Sequence, residues 1–497
     1  MTPLWHQIFD PHLRERPDAP ALRDSTGMEW SYADLDRACT AVQETLSGMG
    51  VKPGDRVLVL CENSCAAVAA LFGASRAGAC VIPVNARMTA HEVDRIRTHA
   101  RPSAVLTTSG ASAEAAAHGE RLGAVRQTGA LGELMVAPDD GDGEAVDADV
   151  AVLLYTTGTT GTPKGVMLTH GNLTYAGRAA QEFRSLAPGH IVFGVAPITH
   201  VIGLASMLTA TLTAGATALL EARFSVERLE AALRAGVSHL PAVPQMHALL
   251  MRHVQDQGLD RLESPDLFYV SSGGAPLDPA WKRKAEAFYG LPLQNGYGMT
   301  ETTAATHITR NKLGDPDISV GPPLAEVEMR IDTDVPGAGD GAGEVIVRGP
   351  NVMKGYFRNP EATAAALSPD GWLRTGDLGR VDAEGRLHIM SRTKELIIHG
   401  GFNVYPPEVE AALNDHPQVV QSAVIGRVED GDEKVLAFCQ VPVGCDLTPE
   451  ALRDFVAERL TGYKRPSRII LASSLPAAPT GKILKHKLLE AFADRLG

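Results

Sequence analysis

Several things are missing from this chain, and each absence removes a class of function. Its six cysteines (Cys39, Cys61, Cys65, Cys80, Cys439 and Cys445) form no CxxC pair and no metal-type spacing. That excludes a zinc ribbon or a dithiol redox centre and leaves thiols buried in a reducing compartment. Positive charge is short as well: 59 acidic against 46 basic residues give a net charge of −13. A nucleic-acid-binding surface is disfavoured, and any polyanionic ligand must be held by local cations. No long apolar run survives unbroken, because the most apolar stretch, 66–84, is interrupted by Arg76, Gly78 and Pro83. It reads as a buried helix followed by a strand and not as a membrane span. Residues 1–16 carry Asp10, His12 and Arg14 with no apolar signal core. The expectation is a soluble, cytoplasmic protein, monomer or homodimer, without a nucleic-acid partner or membrane span.

What is present points to a multidomain α/β protein. A chain of 497 residues, 44% of them hydrophobic, is too long for one core. Ser31-Tyr32-Ala33-Asp34 reads as a helix start, with Leu35, Cys39, Val42 and Leu46 at helical spacing and Gly48 and Gly50 ending it. Pro53-Gly54-Asp55 turns the chain, and 57–60 is a buried-strand pattern. Such units continue through Val105-Leu106, which predicts α/β layers with largely parallel sheets. The acidic stretch 138–149 reads as a solvated loop; as a calcium loop it would need glycine where Ala145 stands.

The densest signal is Tyr155-Thr156-Thr157-Gly158-Thr159-Thr160-Gly161-Thr162-Pro163-Lys164-Gly165, set between the apolar runs 150–154 and 166–168. Glycines let backbone N–H groups turn toward an anion, the hydroxyls add donors, and the lysine adds a point charge. It is not a Walker loop, because Lys164 is followed by Gly165. A flexible Ser/Thr/Gly linker is the competing reading; the flanking apolar runs and the closing Pro-Lys-Gly argue against it.

This string resembles the signature loop of the adenylate-forming superfamily, which includes acyl- and aryl-CoA synthetases, peptide-synthetase adenylation domains and firefly-type luciferases. The resemblance runs from about residue 20 to the C-terminus, with further motifs in order. It implies a large N-terminal domain of layered α/β subdomains, 1–393, and a small mobile C-terminal α/β domain, 394–497. In Asn295-Gly296-Tyr297-Gly298-Met299-Thr300-Glu301, Tyr297 offers an aromatic face to a purine, Thr300 a hydroxyl to phosphate, and Glu301 a hard oxygen to Mg2+. Asp377, in Thr375-Gly376-Asp377, suits a ribose diol, since a carboxylate accepts from both hydroxyls. The resemblance further sets Ser271-Ser272-Gly273-Gly274-Ala275-Pro276 beside adenine and the acyl group, and His200 near the acyl pocket and thiol tunnel. It gives Arg392 to the ribose or phosphate, Lys394 to the hinge, and Gly400-Gly401 to the pantetheine path. Lys482, in Thr480-Gly481-Lys482, matches the catalytic lysine. Ser391 stands where many members have Gly.

The implied reaction joins a small carboxylic acid to ATP with Mg2+, then passes the acyl group to CoA. Apolar Ile198, Val201, Ile202 and Ala275 favour a hydrophobic acid, fatty or aromatic. An α-amino acid is disfavoured because no aspartate near His200 would pair its ammonium. No carrier domain follows Gly497 and no carrier attachment motif is present, which makes CoA the default acceptor. Alternatives are a separate carrier protein, a non-thiol acceptor, an unusual oxyanion such as nitrite, or a non-catalytic relative. The joint presence of Lys164, Glu301, Asp377, Arg392 and Lys482 argues against the last.

Overall fold

The computed structural model describes residues 3–129, 132–157, 163–274, 277–335, 338, 341–400, 402–429, 432–478 and 483–496. Among these, two eight-stranded sheets carry the large N-terminal part. One runs, edge to edge, through Ala304–Ile308, Leu293–Met299, Tyr269–Gly273, His239–Ala242, Ile191–Gly194, Thr217–Leu220, Pro20–Asp24 and Glu29–Ser31. Its interior pairings are parallel and only its two edge pairings are antiparallel. The other runs through Gly355–Tyr356, Pro163–Thr169, Val150–Thr157, Cys80–Asn85, Arg56–Cys61, Ala104–Thr107, Gly132–Pro138 and Val125–Gly129. Its central strands are buried along their whole length save Asn85, as parallel strands covered on both faces must be.

Local signals explain the elements. The helix Tyr32–Gly48 begins where Ser31 and Asp34 cap each other reciprocally, a device worth about 1 kcal/mol. Its apolar positions Leu35, Cys39, Val42 and Leu46 are all buried. The apolar stretch 66–84 resolves into the helix Cys65–Arg76 and the strand Cys80–Asn85. Five of the six cysteines are buried and Cys445 is half-buried. Among the described residues no helix is long and apolar enough to cross a membrane.

A four-stranded antiparallel sheet, Glu328–Asp332, Gly343–Arg348, Leu373–Val381 and Leu387–Arg392, follows the two large sheets. The C-terminal part has its own core around Val409, Leu413, Val424, Leu452 and Val456, built on the sheet Gln421–Glu429, Asp432–Gln440 and Arg468–Ala472. A mixed α/β protein with a large N-terminal and a small C-terminal domain is thus what the chain forms.

Two expectations need correcting. The stretch 138–149 is not simply a solvated loop: the Asp142 carboxylate pairs with Arg56, which is 1% exposed, and with Arg358. Arg56 also donates to the carbonyls of Ala100 and Glu144, both at 2.6 Å. A buried guanidinium needs such partners, and the acidic loop supplies them. The Thr/Gly segment is also shorter as a loop than its composition suggests. Thr156 and Thr157 end one strand and Pro163-Lys164 begin the next, with Thr156 opposite Lys164 in an antiparallel hairpin.

Candidate active site

Three groups of side chains converge where the sheets meet. The first gathers around Tyr356. The strand Gly355–Tyr356 pairs with Pro163–Thr169 so that Tyr356 faces Val166. Lys164, two residues earlier, lies on the same face of its strand as Val166. Its ammonium stands 4.8 Å from the centroid of the Tyr356 ring. The Tyr356 hydroxyl donates to Glu301 Oε1 at 2.9 Å. Burial, then the Glu301 charge, holds that phenol's pKa well above its ordinary value.

Glu301 is not the surface residue an ordinary turn would present; it is 9% exposed. It sits in a short 3-10 turn, Thr300–Thr302, sewn to the segment 351–353. Met353 N–H donates to the Glu301 carbonyl at 2.8 Å, and the Thr303 hydroxyl donates to Asn351 O at 2.8 Å. Thr303 and Ala304 adopt left-handed backbone, φ 48° and 81°, a strain that non-glycine residues hold only under surrounding constraint. The turn returns so close that a Cβ on Gly298 would lie 1.6 Å from Ala304 O. Only glycine fits there.

The second group joins Tyr297, Asp377 and Arg392. Asp377 and Arg392 face each other on adjacent antiparallel strands, with Arg392 Nε 3.4 Å from Asp377 Oδ1. The Tyr297 hydroxyl donates to Asp377 Oδ2 at 2.6 Å. Burial and the neighbouring Asp377 carboxylate hold the Tyr297 pKa well above its usual value. Behind Tyr297 lies His307, fully buried, whose pKa burial pulls down to about 4, so it is neutral at pH 7. The Thr393 hydroxyl donates to Gly376 O at 3.1 Å, tying the turn Thr393–Glu395, which contains Lys394, to the strand bearing Asp377.

The third group is an apolar slot. Among the described residues, a Cβ on Gly273 would meet only Gly296 O, at 3.9 Å, and one on Gly274 only Ile202 Cδ1, at 3.8 Å. Ile202 opens a π-helix, Ile202–Thr209, two residues after His200, whose Nδ1 accepts the Ile202 N–H at 3.3 Å. Asn63 holds this segment: its amide donates to Gly194 O and Ala196 O and accepts from Ile198 N–H, at 2.9–3.0 Å. Val201 is buried in the core and Met299 packs half-buried against it. Asn295 spends its amide on Ser319 O and Gly296 N–H. Thr300 is buried beside Glu301.

Gly158, Thr159, Thr160, Ala275, Pro276, Gly401 and Lys482 lie outside the described residues. Lys485, three positions beyond Lys482, is described. Its ammonium lies 2.8 Å from both Glu395, beside Lys394, and Glu410. Burial opposes that charge, but the two carboxylates outweigh it and raise the pKa. The residues missed from the sequence are Tyr356, Asn63 and Lys485. Tyr356 carries only a local Gly-Tyr-Phe signal, and nothing local announces its contacts with Lys164 and Glu301.

An AMP-binding enzyme family model matches residues 9–357, and an AMP-binding enzyme C-terminal domain model matches 408–482. The chain belongs to the AMP-binding enzyme family. Among AMP-binding enzymes it is 35% identical to a feruloyl-CoA synthase from an Amycolatopsis species, over 96% of this chain and 97% of that one. It is 30% identical to 4-coumarate-CoA ligase 1 of Narcissus pseudonarcissus, over 99% of this chain and 94% of that one. ATP-bound MatB from Rhodopseudomonas palustris superposes with a TM-score of 0.84 at 30% identity, covering 99% of this chain and 100% of that one. The family, the fold and the enzyme class read from the sequence, an AMP-forming acid–CoA ligase, stand on these matches.

Proposed function

We propose that this AMP-binding enzyme activates an aromatic carboxylic acid of the hydroxycinnamate type as its acyl-adenylate and passes the acyl group to CoA. The observation that carries the aromatic reading is the slot at Gly273, Gly274 and Gly296, where, among the described residues, an added Cβ would meet only backbone oxygens and the Ile202 and Ile308 side chains, at 3.4–3.9 Å. Three glycines without side chains of their own, bordered by aliphatic side chains, leave a flat apolar space suited to a planar ring. The feruloyl- and coumarate-type relatives support the same choice.

In the first half-reaction a carboxylate oxygen attacks the α-phosphorus of ATP. The new P–O bond forms as the bond to the β-phosphate bridging oxygen breaks, and pyrophosphate leaves with that electron pair. Both reactants are anions, so fixed cations and N–H groups supply most of the help. Lys164, with Thr156, Thr157, Gly158, Thr159 and Thr160, holds the β- and γ-phosphates. Lys482 bridges the carboxylate and the α-phosphate. Asp377 and Arg392 hold the ribose, and Tyr297 offers its ring to adenine. Thr300 donates its hydroxyl to phosphate.

Glu301 fits the role of Mg2+ ligand. Among the described residues nothing hydrogen-bonds or ion-pairs with its Oε2, and no cluster of three or more His, Cys, Asp or Glu forms a protein cage for a metal. One carboxylate plus substrate phosphates is the donor set Mg2+ prefers. When bound there, Mg2+ would neutralise charge on the leaving pyrophosphate.

In the second half-reaction the thiol sulfur attacks the acyl carbon. A C–S bond forms, the bond to AMP breaks, AMP leaves with that electron pair, and the thiol proton passes to solvent. The small domain, 394–497, turns about Lys394 between the two steps, withdrawing Lys482 and bringing Gly400-Gly401 to the pantetheine arm. His200, Val201 and Ile202 border the acyl pocket.

A competition assay tests the substrate reading. With ATP, CoA and an equimolar mixture of hydroxycinnamic, medium-chain fatty and dicarboxylic acids, mass spectrometry is expected to find hydroxycinnamoyl-CoA in at least about tenfold excess, the usual reach of a shaped apolar pocket. Predominance of a fatty or dicarboxylic thioester would overturn it.

A further inference from the structure

Lys164 and Glu301 carry opposite charges and converge on one side chain, yet no ion pair joins them among the described residues. Glu301 is 9% exposed and Lys164 is half-buried, so their mutual attraction is only partly screened by solvent. Left to themselves, they would neutralise each other whenever phosphate is absent. ATP would then have to break that pair before binding. Tyr356 lies between them: its ring face seats the ammonium and its hydroxyl occupies one carboxylate oxygen.

We propose that Tyr356 is a positioning residue that keeps Lys164 and Glu301 apart, holding a phosphate-binding cation and a metal-binding carboxylate ready for Mg2+ and the β,γ-phosphates of ATP. This rests on the ligase reading above. Tyr356 is itself fixed for the task. Its N–H donates to the Thr363 hydroxyl at 2.9 Å, and the next residue, Phe357, donates its N–H to Gly165 O at 2.8 Å, beside Lys164. Tyr356 is 8% exposed, so its ring has little room to leave. One tyrosine therefore ties the exit of the Thr/Gly hairpin to the Glu301 turn, two segments that lie far apart in the chain. Through Lys164 and Glu301 it bears only on the metal and the outer phosphates, so AMP, which lacks those phosphates, is indifferent to it.

The test measures affinity for a non-hydrolysable ATP analogue across a Mg2+ titration, and for AMP, in the wild type, Tyr356→Phe and Tyr356→Leu. Phe keeps the ring and loses one hydrogen bond to a charged group. It is expected to weaken Mg2+-dependent analogue binding about tenfold. Leu also loses the cation seat, and about a hundredfold weakening is expected. AMP affinity is expected to stay within about twofold in both, since the Tyr356 side chain contacts Lys164 and Glu301 while Tyr297, Asp377 and Arg392 contact one another, and AMP lacks the outer phosphates. A crystal structure of nucleotide-free Tyr356→Leu is expected to show a direct Lys164–Glu301 ion pair. Equal weakening of AMP and the analogue, or unchanged binding in both variants, overturns the proposal while leaving the ligase reading standing. A wild type that binds no analogue at any Mg2+ concentration overturns both.

Discussion

Lys482→Ala lowers adenylate formation by at least about a thousandfold, while thioester formation from a supplied acyl-adenylate stays within a few-fold of wild type. The size follows from the charges. Bringing a carboxylate up to the α-phosphate sets anion against anion. Even one neutral preorganised donor at such a centre is worth about a hundred- to a thousandfold in rate. A full positive charge bridging both reactants sits at the upper end. The split follows from the geometry of two half-reactions. Lys485, three residues on, is pinned by Glu395 and Glu410 beside Lys394. On the proposed domain alternation, Lys482 would move with this hinge-linked segment and be withdrawn when the thiol arrives. Single-turnover assays of each half-reaction check this. Equal loss in both would mean that Lys482 stays in the site throughout and that domain alternation is wrong for this chain.

Glu301→Gln is expected to cost about a hundredfold or more in pyrophosphate release and to raise the Mg2+ concentration giving half-maximal rate by at least about tenfold. Glutamine preserves the shape and the oxygen that accepts the Tyr356 hydroxyl, so the turn sewn to Asn351 and Met353 stays folded. What is lost is the negative charge at Oε2. AMP binding, which needs neither metal nor outer phosphates, stays near wild type. A Mg2+ titration of initial rates separates these effects. A fall in rate with an unchanged Mg2+ midpoint would remove Glu301 from the metal site.

What the sequence made legible was local. The Ser31–Asp34 cap, the helix Tyr32–Gly48 and the strand Arg56–Cys61 each announce themselves within a few residues, through hydroxyl, carboxylate and apolar spacing. The family resemblance added the large motifs and the reaction class. Long-range partnerships stayed hidden, because periodicity says which face a residue occupies and not which strand lies opposite. Asp142 read as one more acid in a glycine-containing loop. Only the fold brings Arg56 beneath it and makes the loop a counter-ion. Tyr356 read as an aromatic after a glycine. Only the pairing of Gly355–Tyr356 with Pro163–Thr169 sets it between Lys164 and Glu301. The Tyr297–Asp377–Arg392 contact was half visible: the residues were singled out one by one, and their mutual hydrogen bonding depended on strands from two different sheets.

The measurement that bears most directly on the central claim is pyrophosphate release with a hydroxycinnamic acid, with and without CoA, while the adenine nucleotide product is identified. An aromatic acid–CoA ligase gives one equivalent of pyrophosphate per active site without CoA and continuous turnover with it, AMP being the only nucleotide formed. Continuous turnover without CoA would point to another acceptor. Release independent of the acid, or formation of ADP and phosphate, would contradict the account.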